Sequence, residues 1–160
     1  MIYELCYYSK KRLSLIPHDL RYFNTHFNCR SLQSEWEVPP VTIYPKSYKV
    51  ADFVGWMLMA PVVSDRTKQI ITSALKVEVE FLPFHSLKGR PYYAMNVMSL
   101  DPTSAIFKKT TGSVVYVSDE FGDMACDAKL TGLVLADPDA ENGRMIVRGL
   151  DTNVFKGLTQ

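Results

Sequence analysis

Residues 51–97 constrain the fold more than any other stretch, because several structural signals follow one another there. An apolar segment at 52–59 contains a glycine, and its pattern fits either a buried strand or a closely packed helical segment. Ser64 and Asp65 come next. A serine hydroxyl can accept a hydrogen bond from an amide of the first helical turn, and an aspartate there interacts favourably with the positive end of the helix dipole. The sequence therefore predicts a helix that begins at this point.

This helix and the strand after it have distinct inner and outer sides. The predicted inward stripe of the helix is Ile70, Ile71, Ala74 and Leu75, and its predicted solvent face is Arg66, Lys68 and Gln69. Lys76 lies near the negative end of the dipole, where a cation is favoured. Residues 77–81 then alternate Val, Glu, Val, Glu, Phe. This alternation predicts a half-buried strand with Glu78 and Glu80 in solvent.

The rest of the chain adds strands and a second helix. The turn HSLKGRP carries a glycine and a proline and leads into the β-rich residues 92–98, which predicts a hairpin with 77–81. Ser118 offers a second helix N-cap, followed by two acids, and the predicted apolar stripe of that helix is Phe121, Met124, Ala125 and Ala128. Further predicted strands are 2–9, 113–117, 133–136 and 145–148, with an edge strand or ordered loop at 41–48. We therefore expect an α+β fold, a mainly antiparallel sheet with at least two packed helices.

Length and composition narrow the class of protein. A chain of 160 residues with 47% apolar content can bury the core of one domain, so a single domain over 1–160 is expected. The formal net charge of +1 indicates neither a nucleic-acid-binding chain nor a disordered acidic one. Cys6, Cys29 and Cys126 are widely spaced, which favours a reducing compartment. There is no secretory pattern and no apolar run of about 18 residues, so a soluble cytoplasmic protein is expected.

Acidic residues are concentrated late in the chain. They are Asp119, Glu120, Asp123, Asp127, Asp137, Asp139 and Glu141, with Lys129 as the only base among them. Such a patch would repel nucleic acid and attract a cationic protein partner. A structural interpretation is equally open, because acids also cap helices and aspartates beside a proline favour turns.

Other classes of function receive less support. His18, His26 or His85 could act as a general base for Cys6 or Cys29 in a hydrolase, but no histidine lies in a glycine-flanked nucleophile turn. Basic and aromatic residues mix within the first 50 positions and could contact nucleic acid, although seven basic residues there accompany four acids. The glycines form no phosphate-binding loop, and DPDAE lacks the ligand spacing of a calcium loop. No catalytic residue, metal site or cofactor is therefore predicted.

Three segments together resemble a known family. They are ADFVGWMLMAPVVSDRTKQII, then VEFLPF with GRPYYAMNV, then IFKKTTGSVVYVSDEF with LTGLVL. They are similar to the bacterial immunity proteins that protect cells from polymorphic or type VI secreted toxins, a group long classed as a domain of unknown function. The matching residues are Val63, Ser64, Asp65, Arg66, Glu80, Phe81, Leu82, Pro83, Tyr92, Tyr93, Ile106, Phe107, Lys108, Val117, Ser118, Asp119, Glu120, Phe121, Leu130, Thr131, Gly132 and Leu133. The resemblance is strongest over 41–136.

The resemblance implies a function as well as a scaffold. It implies a non-enzymatic immunity protein that binds a cognate secreted toxin in the cytoplasm and occludes its active or substrate-binding surface. If that toxin is a nuclease, its surface is cationic, and the acidic residues at 119–141 would imitate a phosphate backbone. Direct nucleic-acid binding and membrane association are not expected, and the oligomeric state is left open.

Overall fold

Antiparallel sheets and two helices make up the described part of the chain. The computed structural model describes residues 1–7, 13–18, 27–44, 46, 48–56 and 60–139. The strands are β1 (Ile2–Tyr7), β2 (Ser14–Pro17), β3 (Val41–Tyr44), β4 (Phe53–Trp56), β5 (Ala60–Ser64), β6 (Val79–Pro83), β7 (Tyr92–Val97), β8 (Ile106–Phe107), β9 (Tyr116–Ser118) and β10 (Leu133–Ala136). The helices are α1 (Asp65–Ala74) and α2 (Asp119–Asp127). The expected α+β class with mainly antiparallel sheet is confirmed.

The ten described strands form three sheets. The outer sheet has the order β10-β1-β9-β8, the central sheet has the order β4-β5-β7-β6, and β2 pairs with β3 in a two-stranded sheet. Strand β6 is therefore at an edge of the central sheet. It is joined to β7 by the predicted hairpin, whose loop closes with a bridge between Leu87 and Arg90 and turns at Gly89, where φ is +74°.

Each helix follows a strand directly through a serine. The Ser64 hydroxyl accepts a hydrogen bond from the Thr67 amide at 3.2 Å, and the Ser118 hydroxyl accepts one from the Phe121 amide at 3.5 Å. Both predicted N-caps are confirmed. A strand can pass into a helix here because a capping serine keeps the extended backbone of the strand while its side chain satisfies the first turn.

Alternation along the central sheet divides the core into two clusters. The first cluster lies between the central sheet, the outer sheet and the helices, and includes Tyr3, Phe53, Val63, Ile71, Met95, Val117, Phe121 and Leu135. The second cluster covers the opposite face and includes Leu15, Phe27, Leu32, Val54, Trp56, Val62, Leu82 and Ala94. Trp56 makes edge-to-face contacts with Phe27 and Trp36, with ring centroids 5.7 and 6.3 Å away. Both faces of the central sheet are thus packed.

Several predicted boundaries and faces were wrong. The apolar segment at 52–59, which fitted either a strand or a helix, contains strand β4 over Phe53–Trp56. Residues 57–59 lie outside the described residues. Ala74 is exposed because α1 ends there, and Lys76 lies beyond the helix. The strand expected at 77–81 begins at Val79, and the one expected at 113–117 is β9. The strand predicted at 145–148 falls outside the described residues.

The environment of Glu80 differs most clearly from the prediction. Glu80 was expected in solvent, but its carboxylate accepts hydrogen bonds from the Ser31 hydroxyl at 2.6 Å, the Leu32 amide at 2.9 Å and the Asn96 side chain at 3.0 Å. Residues 27–36 cover this face of the hairpin, which strand alternation alone does not reveal. Burial raises the pKa of Glu80, but these hydrogen bonds outweigh it and hold the pKa below the ordinary value.

Candidate functional site

Helix α2 presents an acidic face to solvent. Glu120, Asp123 and Asp127 are all exposed, and their spacing of three and four residues puts them on one side of the helix. We call these three residues the α2 acidic face. The helix contains no lysine or arginine. Its opposite side is apolar, with Phe121, Met124 and Ala125 buried as predicted.

Asp119 does not belong to this face. Its carboxylate accepts a hydrogen bond from the Tyr3 hydroxyl at 3.1 Å and forms an ion pair with the amino group of Met1. Because Ile2 pairs with Ser118, strand β1 holds the start of α2 in place. The contacts of Asp119 with Met1 and Tyr3 therefore give this carboxylate a structural role, while the cap itself is Ser118.

Asp137 and Asp139 lie just beyond β10. The Asp139 amide donates to the Asp137 carboxylate at 2.9 Å, so the turn interpretation explains Asp137. Ala136 pairs with Glu4, and β9 and β10 both run antiparallel to β1, so this turn and the start of α2 lie at the same end of the outer sheet. Asp127 is at the other end of the helix. Glu141, the last acid of the predicted patch, lies outside the described residues.

Asp127 is the acid that helix stability explains least. It is the last residue of α2, and no basic residue occupies that turn. A carboxylate near the negative end of a helix dipole is unfavourable by about 0.3–1 kcal/mol. The nearby carbonyl of Ala128 accepts a hydrogen bond from Arg66, whose ion pair is with Asp52 at 3.0 Å. The carboxylate of Asp127 therefore slightly destabilises helix α2.

Three of the residues that carry the family resemblance, Ser64, Arg66 and Thr131, meet at a different place, around Asp52. The Asp52 carboxylate accepts hydrogen bonds from the Ser64 hydroxyl at 2.9 Å and from Arg66 at 3.0 Å. It also accepts bonds from the amide and hydroxyl of Thr131 at 3.0 and 3.1 Å. The carboxylate thus joins the start of α1 to the loop between α2 and β10. We call this cluster of Asp52, Ser64, Arg66 and Thr131 the Asp52 junction.

Gly132 completes the junction. Its φ is +81°, and a Cβ at this position would lie 2.3 Å from the Phe53 carbonyl oxygen. The loop comes this close because the Phe53 amide donates to the Thr131 carbonyl at 3.0 Å. Only glycine fits without movement of the backbone. Packing therefore requires the glycine of the LTG segment, residues 130–132.

Two other motif residues anchor the segment that covers the second cluster. Lys108 is buried, and its ammonium donates to the Phe27 carbonyl at 2.9 Å, while burial lowers its pKa. Glu80 binds the same segment at Ser31 and Leu32. Sequence reasoning missed this role because both partners lie far away in the chain. These motif residues hold the scaffold together.

The alternative of a Cys/His catalytic pair gains no support from the two histidines that the structure describes, His18 and His85. Burial raises the pKa of Cys6 to about 11, with the charge of Glu4 adding to the effect, and burial also raises that of Cys29 against the opposing effect of Lys108. The His18 ring contacts the Thr42 hydroxyl at 2.8 Å, and the His85 ring contacts the Pro39 carbonyl at 2.6 Å. His26 is outside the described residues. Raised thiol pKa values disfavour the thiolate that nucleophilic chemistry needs.

The described ranges contain neither a cluster of metal ligands nor a helix that could span a membrane. No group of three or more His, Cys, Asp or Glu side chains is placed to hold a metal ion there. Neither described helix is long and apolar enough to cross a membrane. Comparison of the sequence with protein-family models found no matching family, and comparison with curated proteins found no match.

Proposed function

We propose that this protein is a non-enzymatic immunity protein that binds a cognate secreted antibacterial toxin in the cytoplasm and occludes its active or substrate-binding surface. The observation that carries the proposal is the exposure of the α2 acidic face. Within the described part of the chain, the carboxylates of Glu120 and Asp127 form no hydrogen bond or ion pair. They remain available to a cationic partner.

Charge supports the mode of binding. A helix with acids on one exposed side and no base produces a local negative potential, which accelerates association with a positive surface and repels nucleic acid. A nuclease toxin needs a positive surface to hold its substrate. The α2 acidic face would occupy that surface in place of phosphates.

The family resemblance supports the class of protein but not the interface. Its motif residues lie mostly in helix caps, in strands and in the Asp52 junction. Such residues preserve a scaffold while exposed residues determine the partner. The identity of the toxin therefore depends on positions outside the motifs, and Asp123 and Asp127 are two such positions.

The two other classes have weaker support. A Cys/His hydrolase would need a thiolate near a histidine, whereas the contacts of His18 and His85 are with Thr42 and Pro39. A nucleic-acid-binding protein would use the basic N-terminal region, but the α2 acidic face would oppose its approach to phosphates.

A growth assay tests the proposal. The product of the gene immediately upstream is expressed in a susceptible strain, with and without this protein. We expect the product to stop growth alone and growth to return on co-expression. If the product is toxic and co-expression gives no protection, or if it is not toxic at all, the immunity assignment is wrong.

Charge reversal tests the interface separately. Glu120→Lys with Asp127→Lys should slow association with the toxin at low salt by about tenfold or more, because steering depends on the electrostatic potential at the surface that meets the partner. The matched control is Glu37→Lys with Glu78→Lys, which changes two exposed acids elsewhere by the same total charge. Equal association rates for the two double variants would remove the α2 acidic face from the interface.

A further inference from the structure

A groove runs between α1 and the edge strand β6. It has a volume of about 940 Å³ and opens to solvent. Its walls include Lys68 and Thr72 from the helix, Leu75 just after it, Val79 and Phe81 from the strand, and Tyr93 from β7. We call this feature the β6 groove. It lies in the α1 half of the molecule and shares no residue with the α2 acidic face.

The backbone of β6 has hydrogen-bonding groups that its own sheet does not use. The Phe84 amide donates to the Tyr92 carbonyl at 2.9 Å, and the Met98 amide donates to the Glu78 carbonyl at 3.0 Å. In an antiparallel strand the backbone amide and carbonyl groups of alternate residues point toward the partner strand. In β6 those of the even-numbered residues point toward β7, and those of the odd-numbered residues point away from it. The amide and carbonyl groups of Val79 and Phe81 therefore point to the open edge.

The next outward position shows how the rest of this edge is closed. Pro83 has no amide hydrogen, and its carbonyl accepts a hydrogen bond from the Trp36 indole at 2.7 Å. A proline and a covering side chain are common ways to block strand addition. Over Val79 and Phe81, in contrast, no described residue donates to or accepts from the outward backbone groups. The edge is blocked at one end and open along the groove.

The charge of the groove indicates what would bind there. Lys68 and Lys76 line it, with the Lys68 ammonium 4.1 Å from the centre of the Tyr93 ring. Among the described residues that line the groove, Glu80 is the only acid, and its carboxylate is already bound by Ser31, Leu32 and Asn96. The charge left for a ligand is positive. Leu75, Val77 and Phe81 add apolar surface between the charges.

We propose that the β6 groove binds an extended, acidic segment of a partner protein, which adds as a strand to the edge of the central sheet at Val79 and Phe81. Backbone hydrogen bonds would hold the segment, and its carboxylates would pair with Lys68 and Lys76. Alternate apolar side chains of the segment would cover Val77 and Phe81. This surface goes beyond the proposed function, since the α2 acidic face selects a cationic partner and the groove selects an acidic one.

A phage-displayed library of random eight-residue segments tests the proposal. Selection on the intact protein, with counter-selection on Val79→Pro, should enrich Asp and Glu together with β-branched residues. Proline at 79 removes one outward amide at an edge, where proline is tolerated. Binding of a selected synthetic peptide should slow hydrogen exchange at the amides of Val79 and Phe81. Recovery of no peptide, or enrichment of Lys and Arg, would overturn the proposal.

Two further comparisons use the selected peptide and do not depend on the folding of the proline variant. N-methylation of the alternate peptide amides that face β6 should weaken binding about tenfold or more. Lys68→Gln with Lys76→Gln should weaken it about tenfold in low salt, whereas the control Lys109→Gln with Lys129→Gln should leave it unchanged. Lys109 is a matched control because its ammonium lies 4.3 Å from the centre of the Tyr116 ring. Equal affinity for both lysine variants, or for both peptides, contradicts strand addition by an acidic segment.

Analytical sedimentation distinguishes the binding of a partner segment at β6 from pairing between two copies of this chain. We expect no self-association through β6. A dimer that forms in the intact protein and is lost in Val79→Pro would assign the edge to pairing between copies and overturn the proposal.

Discussion

The two strand–serine–helix units begin alike and use their charges differently. In each, a serine caps the helix and an aspartate follows it, at Ser64–Asp65 and at Ser118–Asp119. At the start of α1 the Arg66 charge is paired within the fold, since it binds Asp52. On α2, Glu120 and Asp127 extend into solvent. The same local motif therefore builds a structural junction in one place and a charged surface in the other.

This difference separates residues that maintain the fold from residues available for binding. The Asp52 carboxylate is only 13% exposed and has four hydrogen bonds from three residues, so its removal leaves several donors unsatisfied. The side chain of Asp119, which contacts Met1 and Tyr3 at the start of α2, is 46% exposed. Substitutions in the two units should consequently differ in their effect on stability.

The largest effect is expected from Gly132→Ala, in the loop that packs against the Asp52 junction. The new methyl group would meet the Phe53 carbonyl at 2.3 Å in a backbone conformation that alanine also disfavours, and we expect a loss of about 3 kcal/mol or more in the free energy of unfolding. Gly89→Ala is the matched control, because its φ is +74° and nothing lies within 4 Å of the added carbon. It should cost only about 1 kcal/mol. Equal losses in urea denaturation would show that the contact at Phe53 relaxes easily.

Removal of the two aspartates should give the next largest difference. Asp52→Ala should lower the free energy of unfolding by about 2–3 kcal/mol, because it strips charged hydrogen bonds from Ser64, Arg66 and Thr131. Asp119→Ala loses a more exposed ion pair and a hydrogen bond from Tyr3, and should cost about 1 kcal/mol. If thermal and urea unfolding give the same loss for both, the contrast between the two units fails.

The two caps should differ by a smaller amount. Ser118→Ala removes a helix N-cap and should cost about 1 kcal/mol. Ser64→Ala removes an N-cap and also the hydrogen bond to Asp52, so about 2 kcal/mol is expected. The double variant Ser64→Ala with Asp52→Ala should cost less than the sum of its parts, because both changes remove one shared bond. Strict additivity would mean that the Ser64–Asp52 contact contributes nothing.

The smallest effect on stability is expected at Asp127 and has the opposite sign. Asp127→Lys should raise the free energy of unfolding by about 0.3–1 kcal/mol, since a cation is favoured at the end of α2. Glu78→Lys, an exposed substitution outside both helices, should stay within about 0.5 kcal/mol of the parent. A destabilised Asp127→Lys protein would indicate that this carboxylate supports the fold after all.

Local signals allowed the sequence to predict much of this architecture. Both helix starts are encoded in a serine followed by an acid, and the β6–β7 hairpin is encoded in alternation and a glycine turn. A short stretch of sequence is therefore enough to predict each of them. The role of Asp52 depends on partners 12, 14 and 79 residues away, and that of Glu80 on Ser31, 49 residues away. A local sequence pattern cannot reveal contacts between residues so far apart in the chain. The acidic patch was predicted as one unit, but strand order places the Asp137 turn at one end of α2 and Asp127 at the other.

Both tryptophans of the chain, Trp36 and Trp56, are associated with the second cluster, on the face of the central sheet opposite the helices. Tryptophan fluorescence, excited selectively over the tyrosines, will therefore report on that face, whereas the described helices α1 and α2 lie on the other side and contribute to the far-ultraviolet signal. Following both signals through a single denaturant titration measures whether the central sheet transmits unfolding from one face to the other. Coincident midpoints would mean that the two clusters melt as one cooperative unit.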